Sequence, residues 1–352
     1  MKTKLKRKPF FPVSKKLDGF LKKHGRNLEL PVTYEELCNF ESSYPLLDKR
    51  QRDTLWENPI YNPQKIEQLN RTLAETYILL KTGGDLSAVE HLMVDRIDYC
   101  AFGNSCPFRI RIINQFNDNY DYYYIKRADA SRVYGLALEQ ILSPNAMHFL
   151  VDRGTLLEEH IAGIPGDEYI KRYKDHLGLN RIRIAKEFVK FNERCFIRLL
   201  GDMRAYNYIV DMTPDFEEIQ YRVRAIDFDQ QSYEGHRSFY LPQFFKGNNP
   251  IVELCTQSLN KDTIEQYQIE ERTLIGRRYH SAQKQMQQLM ECMCKENLSS
   301  PEKIKQLRGE LAEFHNNKVF LKCRTMGDLV LYNIGTMLNE PEILTIASKN
   351  QS

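Results

Sequence analysis

The sequence lacks any long uncharged apolar run. No stretch of 18 such residues occurs in its 352 positions, and a membrane-spanning helix needs at least about that length. The first residues also lack the apolar core of a secretory signal. We therefore expect no membrane span and a soluble, cytoplasmic protein.

The eight cysteines lack the paired C-x-x-C spacing that closes a tetrahedral zinc site. Cys292 and Cys294 come nearest, but residues two apart on a helix point in different directions. A chain of this length buries enough surface to fold without disulfides or structural metal. We expect reduced thiols.

Charge is nearly balanced over the whole chain, with 50 Lys and Arg against 47 Asp and Glu. The excess of basic residues is concentrated in residues 1–26, where Asp18 is the only acid. We interpret residues 1–30 as a basic, flexible arm. Nucleic-acid contact is expected at most through this arm, because no basic stripe with spaced aromatics follows it.

Residues 31–92 are interpreted as a helical extension. Thr33 and Glu36 have the spacing of a capping box, which predicts a short helix. Asn62 followed by Pro63 suits a second helix start, and apolar residues then recur on one face as far as Leu80.

Near residue 93, the spacing of the apolar residues changes from the helical pattern to the alternation typical of strands. Residues 109–113 and 122–125 flank an Asn-Asp-Asn turn, which predicts a β-hairpin. The elements predicted to follow are a helix over 130–142, strands over 147–152 and 155–161, helices over 168–177 and 180–200, strands over 208–211 and 221–228, and mainly helices after Gly235, including one over 265–296.

The sharpest functional signal is the segment Gly201–Asn207, which reads G-D-M-R-A-Y-N, followed on a returning strand by Ile226-Asp227-Phe228-Asp229. Phosphoryl transfer requires one carboxylate near the acceptor hydroxyl, and a carboxylate and an amide for Mg²⁺. Upstream, Lys126 ends a predicted strand and Glu139 lies in the next predicted helix. This order is typical of a kinase.

Residues from about 97 to 236 resemble the protein-kinase-like fold, nearest to the aminoglycoside and choline phosphotransferase branch. The resemblance implies an α+β, bilobal fold with an N-terminal helical extension. A small antiparallel-sheet lobe of five strands would span 93–163. A mainly helical large lobe that carries the catalytic hairpin would span 164–352.

The resemblance also implies ATP and Mg²⁺ as cofactors and a role for each site residue. Asp202 would be the catalytic base, while Asn207 and Asp227 would hold the metal. Lys126 would bind nucleotide phosphates and Glu139 would orient it. The remaining implied nucleotide contacts are Gly103, Asn104 and Ser105 in the phosphate loop, and Glu159, His160 and Ile161 in the hinge beside adenine.

The chain departs from the family pattern in several places. Leu200 stands where a histidine is usual, the phosphate loop is poor in glycine, and no A-P-E element follows Asp227. A pseudokinase scaffold and a nucleotidyl (AMP) transferase therefore stay open beside a hydroxyl phosphotransferase. Asp229 is read as a solvated acid in preference to a second metal contact. No motif in the sequence identifies the acceptor, which is a small molecule or a protein.

Overall fold

The computed structural model describes residues 8–82, 91–102, 104–173, 180–215 and 218–340. Contacts divide the chain into two compact units. Unit 1 holds the described residues up to Ala130 together with Met147–His160, and unit 2 holds Ser131–Ala146 and the described residues from Ile161 onward. Within these described ranges, no helix combines the length and apolar character that a membrane crossing needs.

Helices and strands are both well represented. The helices are α1 Lys15–Lys23, α2 Tyr34–Leu37, α3 Pro63–Thr82, α4 Ala130–Leu142, α5 Gly166–Tyr173, α6 Arg181–Ile197, α7 Asn249–Ser258, α8 Lys261–Ser281, α9 Gln283–Met293, α10 Pro301–Phe314 and α11 Met326–Leu338. The strands are β1 Ser42–Leu47, β2 Asp53–Ile60, β3 Leu92–Tyr99, β4 Phe108–Asn114, β5 Tyr120–Arg127, β6 Phe149–Asp152, β7 Thr155–Glu159, β8 Ile164–Pro165, β9 Tyr208–Asp215 and β10 Glu218–Ala225.

Unit 1 is built on a seven-stranded antiparallel sheet in the order β1-β2-β3-β4-β5-β7-β6. The predicted hairpin is confirmed as β4 and β5, in which Arg109 pairs with Tyr124. The sheet has two strands more than the five predicted, because β1 and β2 form a hairpin inside the supposed helical extension. Pro45 and Pro59 hide this hairpin in the sequence, since proline is tolerated mainly near a sheet edge.

One face of this sheet carries the core of unit 1. Leu73 and Leu80 of α3 share a buried cluster with Ile110, Tyr123 and Ile125 of the central strands. The Tyr123 hydroxyl donates to the Leu73 carbonyl at 2.8 Å, which fixes α3 against the sheet. Side chains alternate between the two faces along a strand. Tyr124 and Lys126, which alternate with Tyr123 and Ile125 on β5, therefore lie on the other face of the sheet.

Residues 8–30 differ from the predicted flexible arm. Ser14 caps α1, on which Leu17, Phe20 and Leu21 are buried. Lys8 pairs with Asp129 at 2.8 Å. The apolar residues at helical spacing bury one face of α1 and leave its lysines on the other, so a high basic content did not prevent folding.

Unit 2 is mainly helical around a three-stranded sheet in the order β10-β9-β8. β9 and β10 pair without a break from Tyr208 opposite Ala225 to Asp215 opposite Glu218. Residues 212–215 and 218–220 therefore extend the predicted strands toward each other. The prediction of a strand over 226–228 is wrong, because β10 ends at Ala225. α6, which begins after the N-cap Asn180, lies beside β10 and against α7 and α8.

Several helix predictions are confirmed. α4 has the predicted bounds, and Ser300 caps α10 through the Lys303 N–H. The single helix predicted over 265–296 is wrong, because α8 ends at Ser281 and α9 begins at Gln283. The Ala282 N–H still donates to the carbonyls of Arg278 and Tyr279, so the chain changes direction with a helix-end hydrogen bond in place.

Candidate functional site

The segment from Gly201 to Asn207 is a tight loop between α6 and β9. Asp202 has a φ of +58°, in the left-handed region, and its N–H donates to the Phe239 carbonyl at 3.2 Å. An added Cβ at Gly201 would lie 2.8 Å from the Phe239 ring and 3.0 Å from the Gln230 carbonyl oxygen. Glycine is therefore required there, and the backbone conformation of Asp202 is set by its surroundings. A strained residue held this way is a common feature of functional loops.

Asn207 is nearly buried and closes this loop. Its Nδ2 donates to the Asp202 carbonyl at 2.7 Å, and its N–H donates to the Arg204 carbonyl at 2.8 Å. Since Nδ2 is used internally, Oδ1 is the side-chain atom left to accept from or ligate another group. The Ile226 N–H donates to the Asn207 carbonyl at 3.0 Å. Asp227, which follows the end of β10, is therefore next in sequence to a residue bonded to the loop.

The Asp202 carboxylate is accessible but not fully solvated. Its side chain is 21% exposed, and Oδ1 accepts from Arg204 Nε at 2.7 Å. Burial raises the pKa of Asp202 above the usual aspartate range, and the nearby Arg204 only partly opposes this. A raised pKa makes the carboxylate a better proton acceptor.

Asp227 and Asp229 follow β10 and share one cation. Arg132 Nη1 lies 2.8 Å from Oδ1 of each aspartate. Asp227 keeps a third of its side chain exposed, whereas Asp229 is nearly buried. The interpretation of Asp229 as a solvated acid is therefore wrong: the turn after β10 points its carboxylate at a buried guanidinium.

Lys126 and Glu139 lie in different units, and each has an ion pair within its own unit. Lys126 Nζ lies 2.7 Å from Glu158 Oε2 on the neighbouring strand β7, where both are nearly buried. Glu139 pairs with Arg198, which follows α6 and is also buried. Sequence reasoning predicted neither partner, because both pairs depend on register between separated elements.

Of the expected hinge residues, Glu159 ends β7, and His160 and Ile161 follow it. The Glu159 N–H donates to the carbonyl of His148, the residue before the edge strand β6, at 3.0 Å, so this backbone group is already engaged. His160 Nδ1 lies 3.2 Å from the Tyr124 hydroxyl, and burial lowers the pKa of His160. Ile161 is buried in unit 2.

The expected phosphate loop joins β3 to β4. Asn104 is exposed and Ser105 is half-buried in a turn, whereas Gly103 lies outside the described residues. Backbone amides in such a turn can face an anion. Asn104 and Ser105 lie between the paired strands β3 and β4.

Sequence reasoning missed three arginines of unit 2. Arg204 follows Asp202 by two residues, and this spacing was a readable signal. Arg132 and Arg198 had none, because their acids are 95 and 59 residues away along the chain.

Across the described residues, no three His, Cys, Asp or Glu side chains converge as a ready-made metal site. Asn207 and Asp227 supply only oxygen donors, which suit Mg²⁺ when it takes one or two protein ligands with substrate phosphates. Comparison with known proteins finds no family profile that matches the chain and no curated protein of significantly similar sequence.

Proposed function

We propose that this protein is a phosphotransferase of the protein-kinase-like fold, which uses Mg²⁺ and ATP to phosphorylate a hydroxyl group. The acceptor is a small molecule or a protein. The hydrogen bond from Asn207 Nδ2 to the Asp202 carbonyl carries the proposal, because it organises a base and a metal ligand in one rigid loop.

The chain order of the elements supports the same function. A five-stranded antiparallel portion of the unit 1 sheet, β3 to β7, has a lysine on its third strand, and α4 follows that strand directly. Phosphotransferases of this fold carry their phosphate-binding lysine on such a strand. Lys126 is nearly buried beside Glu158, so its ammonium is held in a defined position.

Each residue then has a role that its surroundings favour. Asp202 accepts or orients the proton of the acceptor hydroxyl, and its raised pKa suits that task. Asn207 Oδ1 and the exposed side of Asp227 hold the metal, which when bound neutralises phosphate charge. Arg204, half exposed beside Asp202, offsets the charge of the transferred phosphoryl group.

One observation favours a pseudokinase scaffold as the second candidate. Both acids that the proposed chemistry needs already bond an arginine: Asp202 bonds Arg204, and Asp227 bonds Arg132. A scaffold would keep these pairs closed and bind nucleotide without turnover.

The test is to incubate the purified chain with ATP, Mg²⁺ and a panel of hydroxyl acceptors and to measure ADP and pyrophosphate. ADP formation that requires an acceptor and is lost in Asp202→Ala supports the proposal. Mg²⁺-dependent ATP binding without any turnover supports the scaffold, and pyrophosphate in place of ADP shows nucleotide transfer.

A further inference from the structure

Asn248 is a fully buried polar residue that binds the loop of the candidate site from a distant part of the chain. Its Nδ2 donates to the Met203 carbonyl at 2.9 Å and to the Pro242 carbonyl at 2.7 Å. Its Oδ1 accepts from the Tyr208 hydroxyl at 3.0 Å. Met203 lies within the Gly201–Asn207 loop and Tyr208 follows it directly, so one carboxamide holds this part of the chain at two points.

The place of Asn248 in its own helix shows that these contacts replace a local one. Asn248 is the N-cap residue of α7, where an asparagine side chain ordinarily accepts from an N–H of the first helical turn. Within α7, all of which the structure describes, it makes no such bond. Its carboxamide instead bonds residues outside that helix. The side chain therefore serves the loop and not the helix that it begins.

The segment before Asn248 contacts the same loop through its backbone. The Phe239 carbonyl accepts from the Asp202 N–H at 3.2 Å. Leu200, which stands where the kinase-like pattern usually has histidine, has an apolar side chain that offers neither donor nor acceptor. The loop is therefore oriented by residues 239–248 and not by the side chain of residue 200.

We propose that Asn248 is a positioning residue, which supplies the orienting hydrogen bond that Leu200 cannot make and so directs the Asp202 carboxylate toward the acceptor hydroxyl. The proposal rests on the proposed function, since it assumes that Asp202 is the base. Asn248 acts through the Met203 carbonyl and has no contact with substrate to lose. Its removal should therefore lower turnover and leave the affinity for ATP unchanged.

The experiment compares Asn248→Ala with Asn333→Ala by steady-state ADP formation from Mg²⁺ and ATP. The hydroxyl acceptor panel and water alone serve as acceptors, at a temperature where circular dichroism shows both variants folded. Asn333 is the matched control, because it is equally buried and its carboxamide also makes three hydrogen bonds. Those bonds join it to the carbonyls of Phe196 and Ile197 and to His315, which lie outside the loop.

We expect Asn248→Ala to lower kcat and kcat/KM together by about 100-fold, the cost of a misplacement of about 1 Å. The KM for ATP should stay within about twofold of the wild type, because an interaction that matters only in the transition state leaves KM unchanged. Asn333→Ala should lose a similar amount of melting temperature and keep its kcat.

Tyr208→Phe is a milder second variant, because it removes only the hydroxyl that bonds Asn248 Oδ1. Its kcat should fall about 5- to 10-fold, the equivalent of one hydrogen bond. Unchanged kcat in folded Asn248→Ala would overturn the proposal and leave the proposed function standing. The same result in Tyr208→Phe decides if Asn248→Ala does not fold.

An equal loss of kcat in Asn333→Ala would also overturn the proposal, because the loss would then follow general stability. A raised KM for ATP at unchanged kcat would do the same. A wild-type protein that binds ATP and forms no ADP with any acceptor would remove the proposed function and this proposal together.

Discussion

Among the regions of unit 2 in which acids pair with arginines, two differ clearly in exposure. Between α6 and α8, Arg194 Nη1 lies 3.0 Å from Glu271 Oε1, and both side chains are at most 5% exposed. At the candidate site, Asp202 and Asp227 pair with Arg204 and Arg132, yet their carboxylates are 21% and 34% exposed. We call the first region the α6–α8 pair and the second the site pairs.

The arginines of the two regions also differ in their other contacts. In the α6–α8 pair, Arg194 also donates to the Val223 carbonyl at 2.9 Å, so its donors are used inside the protein and the interaction fastens α6 to its neighbours. In the site pairs, the exposed side of each carboxylate can reach a ligand. The two regions therefore differ in the exposure of the acid and not in the presence of an ion pair, and the proposed function assigns a ligand-binding role only to the exposed acids.

The largest expected effect tests the proposed catalytic role of Asp202 in the site pairs. Asp202→Ala should lower turnover by about 100- to 10,000-fold, because a positioned general base contributes that much, while ATP binding persists. Steady-state ADP formation and nucleotide titration measure the two properties. Asp215→Ala, at the exposed far end of β9, is the control. Unchanged turnover in Asp202→Ala would remove its assignment as the base.

The next effect concerns stability and separates the two regions directly. Arg194→Met should lower the free energy of unfolding by about 3–5 kcal/mol, because it removes the nearer cation from buried Glu271 and leaves only Lys190, at 4.0 Å. Arg204→Met should cost less than about 1 kcal/mol, since that pair is half exposed. Urea unfolding measures both. Equal losses in the two variants would contradict the distinction by exposure.

The third prediction tests ligand access at Asp227. ATP with Mg²⁺ should raise the melting temperature of the wild type, because a ligand at 100 times its Kd stabilises the folded state by about 2.7 kcal/mol. Asp227→Ala should lose this rise, and Asp215→Ala should keep it. A metal-dependent rise that survives in Asp227→Ala would place the nucleotide elsewhere.

The smallest expected effect is in the pH dependence of stability. Because burial raises the pKa of Asp202 in the folded state, ionisation opposes folding, and this penalty is present at neutral pH and lost as pH falls through that raised pKa. Asp202→Asn should therefore gain stability relative to the wild type near pH 7. The gain should fade toward pH 4, near the ordinary aspartate pKa of about 3.9. Urea unfolding across this range measures the gain. A gain that grows as pH falls would contradict a raised pKa of Asp202 in the folded state.

Much of the secondary structure was predictable because its signals are local. The capping box at Thr33 and the proline start of α3 each depend on residues a few positions apart. β1 and β2 were missed because this hairpin at the sheet edge contains prolines and its apolar and polar residues do not alternate clearly. α1 was missed because its lysines obscured the apolar face formed by Leu17, Phe20 and Leu21.

The candidate site divides in the same way. The sequence by itself determined which residues form the Asp202–Asn207 loop and that a strand returns just before Asp227, because spacing and turn residues act locally. Only the tertiary structure decided that Arg132 joins Asp227 to Asp229, that Glu139 meets Arg198 and that Lys126 meets Glu158. Buried charges take whichever partner the packing brings within reach, since leaving one unpaired is costly, and no short-range pattern records that choice.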